Sequence, residues 1–159
     1  MELSERIDNI EPSRTAHFAD LVARLRAKGE KVLNLAIGEP HEPVTDEIVT
    51  ATQNALRTGH TRYSAVPGLA ALRAAIARPL PYHQPENVIV TNGSKQSLFS
   101  IFQVICNPGD DVIIPLPCWV SFPEQVKLAG GRPVMVKTRH HQLDLDAIEK
   151  AVGPRTRAI

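Results

Sequence analysis

The sequence is poor in the residues that most often announce a function. It has two cysteines and one tryptophan in 159 residues. Cys106 and Cys118 stand twelve positions apart, with no second pair and no histidine cluster nearby. That spacing excludes a zinc finger or ribbon and points to reduced thiols in the cytosol. The formal net charge is only +1, which argues against the strong basic field of a nucleic-acid binder or a membrane-surface protein. No apolar run approaches the ~18 residues that a membrane span requires. The amino terminus MELSERIDNI lacks the basic stretch and apolar core of a secretory leader, so a cytoplasmic location is expected. There is no internal repeat or low-complexity tract. Neither a G-x-x-x-x-G-K-[ST] loop nor a G-x-G-x-x-G fingerprint is present.

What is present is an ordinary soluble composition, 43% hydrophobic and 22% charged, in a chain long enough for one domain or part of a larger one. Thirteen prolines imply many element boundaries. Phe18, Leu21, Val22 and Leu25 recur at helical spacing and predict a helix over 15–28, capped by Ser13 or Thr15 and closed by Gly29. Residues 32–37 form a short apolar run that reads as a strand and ends at Gly38-Glu39-Pro40. A second helix is expected over 45–56, with Asp46 and Glu47 suiting its first turn. An extended loop follows over 62–67, then a short helix over 68–77 broken by Pro79 and Pro81.

From Val88 the pattern alternates. Strands are expected over 88–91, 111–116, 133–137 and from Arg157, with helices over 95–105, 122–129 and 144–152 between them. Such alternation predicts an α/β domain in three layers, α/β/α, with a mostly parallel sheet.

Four segments can carry chemistry. Thr91-Asn92-Gly93-Ser94-Lys95 joins a strand to a helix, and backbone amides at a helix start beside a glycine make an anion site. Alone, the segment reads more readily as a plain β–α turn. Pro117-Cys118-Trp119 follows a buried strand, and ligands of α/β sheets gather at the carboxyl ends of strands. The indole there could stack on a flat ligand or simply pack at the domain edge. Gly38 in Ile37-Gly38-Glu39-Pro40 could bring backbone close to a carboxylate, and Tyr63 sits in a loop before Gly68; neither stands out by itself. His17, His41, His60, His83, His140 and His141 show no ligand spacing and read as solvent-facing.

Taken together, LNLAIGEP, TRYSAVPGLAALRAAIA, ENVIVTNGSKQSLF, NPGDDVIIPLPCWVSFPEQVKLAGG and LDLDAIEKAVGPRTRAI resemble, in order and spacing, the fold type I pyridoxal-phosphate-dependent aminotransferases of class I/II. EPSRT and Gly93-Ser94-Lys95 are similar to the bacterial branch that holds aspartate and prephenate aminotransferases. The resemblance implies pyridoxal 5'-phosphate as cofactor, amino acid and 2-oxo acid substrates, and a homodimer without nucleic-acid or membrane partners. It implies that Gly93, Ser94 and Lys95 line the cofactor phosphate site and that Trp119 stacks on the pyridine ring. Gly38 would touch the substrate α-carboxylate, and Tyr63 would reach the phosphate of the neighbouring subunit's cofactor. Ser13, Thr15 and Lys95 would receive the distal carboxylate of a dicarboxylic substrate. Residues 1–44 would contribute to a small domain, and 45–159 would form an incomplete cofactor-binding large domain.

The chain also departs from the family pattern. The Asn-Pro-x-Asn segment, the acid that pairs with the pyridine nitrogen, the cofactor-bonded lysine and the α-carboxylate arginine have no counterpart, so no residue is assigned a catalytic role. Lys95, beside the phosphate loop, is wrongly placed to be the bonded lysine. Arg78-Pro79-Leu80-Pro81 replaces a longer helix and loop, and Cys118 stands where relatives often have tyrosine. The expectation is an N-terminal portion of an aminotransferase, inactive alone. The alternatives are a non-catalytic, partner-binding remnant and a pyridoxal-phosphate lyase of the same fold.

Overall fold

A computed structural model describes residues 4–36, 38–81 and 84–159. Ile37, at the end of the expected first strand, and His83 lie outside the described residues. The chain divides into two compact units, one made of the N-terminal segment with Gly93–Ile159, the other of Gly38–Asn92.

In the first unit, helix α1 (Glu5–Asp8) and helix α2 (Arg14–Ala27) come first. Ser13 caps α2, its hydroxyl oxygen accepting the Ala16 amide at 3.3 Å. The second unit holds α3 (Asp46–Arg57) and α4 (Ala70–Ala77). The first unit then resumes with α5 (Ser94–Ile105), β1 (Asp111–Leu116), α6 (Ser121–Leu128), β2 (Arg132–Lys137), α7 (Leu145–Ala151) and β3 (Thr156–Ala158). Every helix predicted from the spacing is found, displaced by at most a residue or two at most ends.

The three strands form one parallel sheet in the order β2-β1-β3. β1 is central and buried from Asp111 to Ile114. Successive side chains of a strand face opposite ways, and the core divides accordingly. Val112 and Ile114 pack with Phe102 of α5 and Val126 of α6. Ile113 packs with Val136 of β2 and Ile148 of α7. The result is the expected three-layer α/β arrangement with the sheet in the middle. Beside β3 an apolar hollow of about 320 Å³ is lined by Leu98, Phe102, Ile114, Phe122 and Ile159 among others.

Two of the expected strands are not strands. Over residues 32–36 no ladder forms among the described residues, and Leu33 and Leu35 are 93% and 95% exposed. Residues 88–91 are extended at Val88 (φ −105°, ψ 127°), but the Val90 amide donates to the Pro67 carbonyl in a loop contact at 2.9 Å. Apolar alternation reports a capacity for burial. A ladder also needs a neighbouring strand to hydrogen-bond with, and none lies against either segment among the described residues. In the same unit, Gly68 adopts φ +104° and abuts Val90, where a Cβ would come within 2.8 Å of the valine. The Arg73 Nε donates to the Val88 carbonyl at 2.9 Å, tying α4 to this segment.

Charged pairs fasten the amino ends of the strands. Arg132 grips Asp111 with two hydrogen bonds, Nε to Oδ1 at 2.7 Å and Nη2 to Oδ2 at 2.8 Å. Asp110 Oδ2 accepts the Asn107 amide at 2.8 Å and Arg157 Nε at 2.9 Å. Both carboxyls are held below the usual range, Asp110 first by the Asn107 amide and then by Arg157, Asp111 first by its hydrogen bonds from Arg132. A depressed carboxyl stabilises the fold above its unfolded pKa and loses that contribution as pH falls through the folded value. Stability to urea should therefore decline as pH drops below about 4, and Asp111→Asn should flatten the decline while lowering the midpoint at neutral pH. An unchanged acid profile in the variant would show that this pair does not set the slope.

Candidate cofactor and substrate site

The site is built where α5 starts and where β1 ends. Gly93 is the residue before α5 and adopts φ +78° and ψ 165°, a region open to glycine and strained for other residues. A Cβ at Gly93 would meet nothing within 4 Å, so the demand for glycine is conformational and the space above the turn is open. The helix that follows spans twelve residues, and its first turn carries no acidic side chain. The Gln96 and Ser97 amides close the first turn on the Gly93 carbonyl at 3.2 and 3.4 Å, and the helix dipole places positive potential at this end. Ser94 and Lys95, both exposed, add a hydroxyl and an ammonium.

β1 leads through a cis Leu116–Pro117 peptide to Cys118 and Trp119. Trp119 is 49% exposed, and its indole N–H donates to the Ser121 hydroxyl at 3.1 Å. That bond fixes the ring relative to the start of α6. The Lys95 Nζ lies 5.7 Å from the Trp119 ring centroid, a cation–π distance. The start of α5 and the indole are therefore neighbours. Cys118 turns inward, packed beside the core cluster of Phe102, Val112, Ile114 and Val126, and burial pushes its thiol up.

Two residues that motif reading passed over hold this arrangement. Gln125 of α6 is buried, and its Nε2 donates to the Lys95 carbonyl at 3.0 Å, joining α6 to the first turn of α5. Its Oε1 is buried without a hydrogen-bond partner among the described residues. Ser121 sets the indole. The legible signal for Gln125 was a polar residue beside Phe122 and Val126 on the apolar side of α6; nothing in the sequence marked Ser121.

Ser13 and Thr15 stand at the start of α2, Ser13 exposed and Thr15 half-buried. The Ser13 hydroxyl oxygen is engaged by Ala16, which leaves its proton able to be donated. Gly38 and Tyr63 belong to the other unit. Gly38 is exposed, and Tyr63 is fully exposed in a shallow surface depression with Thr61, Arg62 and Ser64. The described histidines are all exposed, and no metal-binding cluster occurs among the described residues. No helix among the described residues is long and apolar enough to cross a membrane.

A parallel sheet between helices, with a glycine-led helix start and an aromatic side chain at one strand's carboxyl end, defines a three-layer α/β domain with a candidate ligand site. Residues 30–159 match the sequence profile of the family described as aminotransferase class I and II, and the chain belongs to that family. It is 39% identical to an aspartate aminotransferase of Geobacillus stearothermophilus, over all of this chain and 42% of the relative. It is also 39% identical to an aspartate/prephenate aminotransferase of Nitrosomonas europaea, over 99% of this chain and 42% of the relative. The Thermus thermophilus aspartate aminotransferase solved with maleate superposes with a TM-score of 0.93 at 36% identity, over 98% of this chain and 43% of that one. The chain thus spans about two-fifths of the length of the curated relatives it matches.

The family's cofactor is pyridoxal 5'-phosphate, a flat aromatic ring with an anionic tail. The residues present fit it, with an open glycine turn, a helix start lacking acidic side chains and a half-exposed indole beside it. Because the space around Gly93 is open, Gly93→Ala should cost only backbone strain, about 1–3 kcal/mol. Urea unfolding measures this. A loss several times larger would mean that the turn is packed as well as strained.

Proposed function

We propose that these 159 residues supply the phosphate-holding part of an aminotransferase that moves an amino group between an amino acid, aspartate or glutamate, and a 2-oxo acid. The observation that carries the reading is the pairing of the α5 start with the only tryptophan, Lys95 Nζ lying 5.7 Å from the Trp119 ring, in a chain of this family. Aspartate and prephenate in the relatives' names support the choice of substrates.

In this reading Gly93, Ser94 and Lys95 hold the cofactor phosphate with backbone amides, a hydroxyl and an ammonium. Trp119, its edge pinned by Ser121, stacks on the cofactor ring and excludes water from that face. Gly38 presents backbone to the substrate α-carboxylate. Ser13 and Thr15, at the positive end of the fourteen-residue helix α2, receive the distal carboxylate together with Lys95, whose compact charge suits a carboxylate that can also be solvated. Tyr63 reaches the phosphate of a neighbouring subunit's cofactor in a homodimer; its complete exposure within its own unit supports a contact made elsewhere. Residues 1–44 belong with a small domain and 45–159 with the large one. The bound cofactor supplies the electron sink for the reaction at the amino acid's α-carbon, and the protein supplies orientation and charge.

By itself the chain is expected to be catalytically silent, because the family's cofactor-bonded lysine has no counterpart among its residues. Mixed with pyridoxal 5'-phosphate, aspartate and 2-oxoglutarate, it should form no glutamate above the rate of free cofactor. Enzymatic turnover by the isolated chain would refute this. Lys95→Met should weaken binding of pyridoxal 5'-phosphate about tenfold, as expected for loss of one charge-assisted contact; absorbance titration reads the change. Equal affinity would remove Lys95 from the phosphate site.

A further inference from the structure

The segment that leads into Ser13 and Thr15 is fastened to the helix that follows Trp119. Glu124 of α6 accepts the Glu11 amide on Oε2 at 3.0 Å and the Lys127 ammonium on Oε1 at 3.0 Å. Lys127 also donates to the Asn9 carbonyl at 3.4 Å. One ion pair on α6 thus engages a backbone donor and a backbone acceptor of the same short segment. The pair is partly buried, with side chains 20% and 31% exposed, so solvent screens it less than a free surface pair. A second attachment lies nearby, where Ser4, Arg6 and Ile7 line a groove with Phe99 and Gln103 of α5 and Leu128 of α6. The same α6 fixes the indole through Ser121 and the first turn of α5 through Gln125.

We propose that Glu124 and Lys127 are positioning residues for the distal-carboxylate contacts of Ser13 and Thr15, and so set the preference for dicarboxylic substrates. This rests on the functional reading above. Residues 9–11 are an exposed stretch between two helices, apart from half-buried Ile10. Without the clamp, its backbone would be free to move and carry the α2 start with it. The clamp fixes that start to the helix that also positions the cofactor face, so that the distal-carboxylate contacts and the cofactor face are referred to one rigid element. Ordering the segment beforehand removes an entropic cost that substrate binding would otherwise bear.

The test uses the whole chain, saturated with pyridoxal 5'-phosphate, and amide hydrogen exchange with maleate as an unreactive dicarboxylate and acetate as the monocarboxylate control. Maleate should slow exchange over residues 13–16 and acetate should not. Glu124→Ala should speed exchange at Glu11 and raise the maleate concentration for half protection about tenfold, the size of one lost charge-assisted hydrogen bond. Cofactor affinity should be unchanged. Glu124→Gln keeps an oxygen to accept the Glu11 amide and should restore much of the maleate response. A maleate response equal in the alanine variant and the unaltered chain would overturn the positioning role, whereas cofactor binding without any maleate effect in the unaltered chain would overturn the distal-carboxylate reading on which it rests. Failure of the unaltered chain to bind cofactor would instead overturn the reading of the site on which the role rests.

Discussion

The arrangement depends on one constraint, the burial of β1 on both faces. Val112, Ile113 and Ile114 are each 6% exposed or less. A strand covered on both sides needs helices above and below, and α5, α6 and α7 provide them. That requirement fixes where α5 lies, and therefore where its amino end opens. It also fixes the carboxyl end of β1, from which Cys118 and Trp119 emerge. The Asp110 and Asp111 pairs hold the opposite end of the same strand. The site is thus a consequence of where β1 is buried.

Much of this was legible in the amino acids. The run Asp111–Leu116 has the apolar, β-branched character of a doubly covered strand, and the helices on either side follow from 3.6-residue spacing. Gly93 announced a turn, and its φ of +78° gives the physical reason. The two segments read as strands near Val32 and Val88 mark where local composition stops deciding structure. Their composition is strand-like, yet pairing is a property of a neighbour, and no local pattern encodes that neighbour's presence.

The candidate site's contact residues carried signals in the sequence, and its supports carried almost none. Lys95 and Trp119 lie 24 positions apart in the sequence, and each reads as ordinary alone; the family pattern joined them, and the fold places them together. Gln125, Ser121 and Glu124 act through tertiary hydrogen bonds to residues distant in sequence or to an indole edge. Such partners leave no periodicity or spacing to find. Of these, only Gln125 carried a hint, a polar side chain among apolar ones.

The proposed function turns on one contact, an anionic cofactor tail on the α5 start with its ring against Trp119. Because Trp119 is the only tryptophan, its fluorescence reports that contact directly. Titration with pyridoxal 5'-phosphate should quench the emission to saturation, and pyridoxal, which lacks the phosphate, should require at least about tenfold more for the same effect. Equal quenching by the two compounds, or none by the phosphorylated one, would contradict the account.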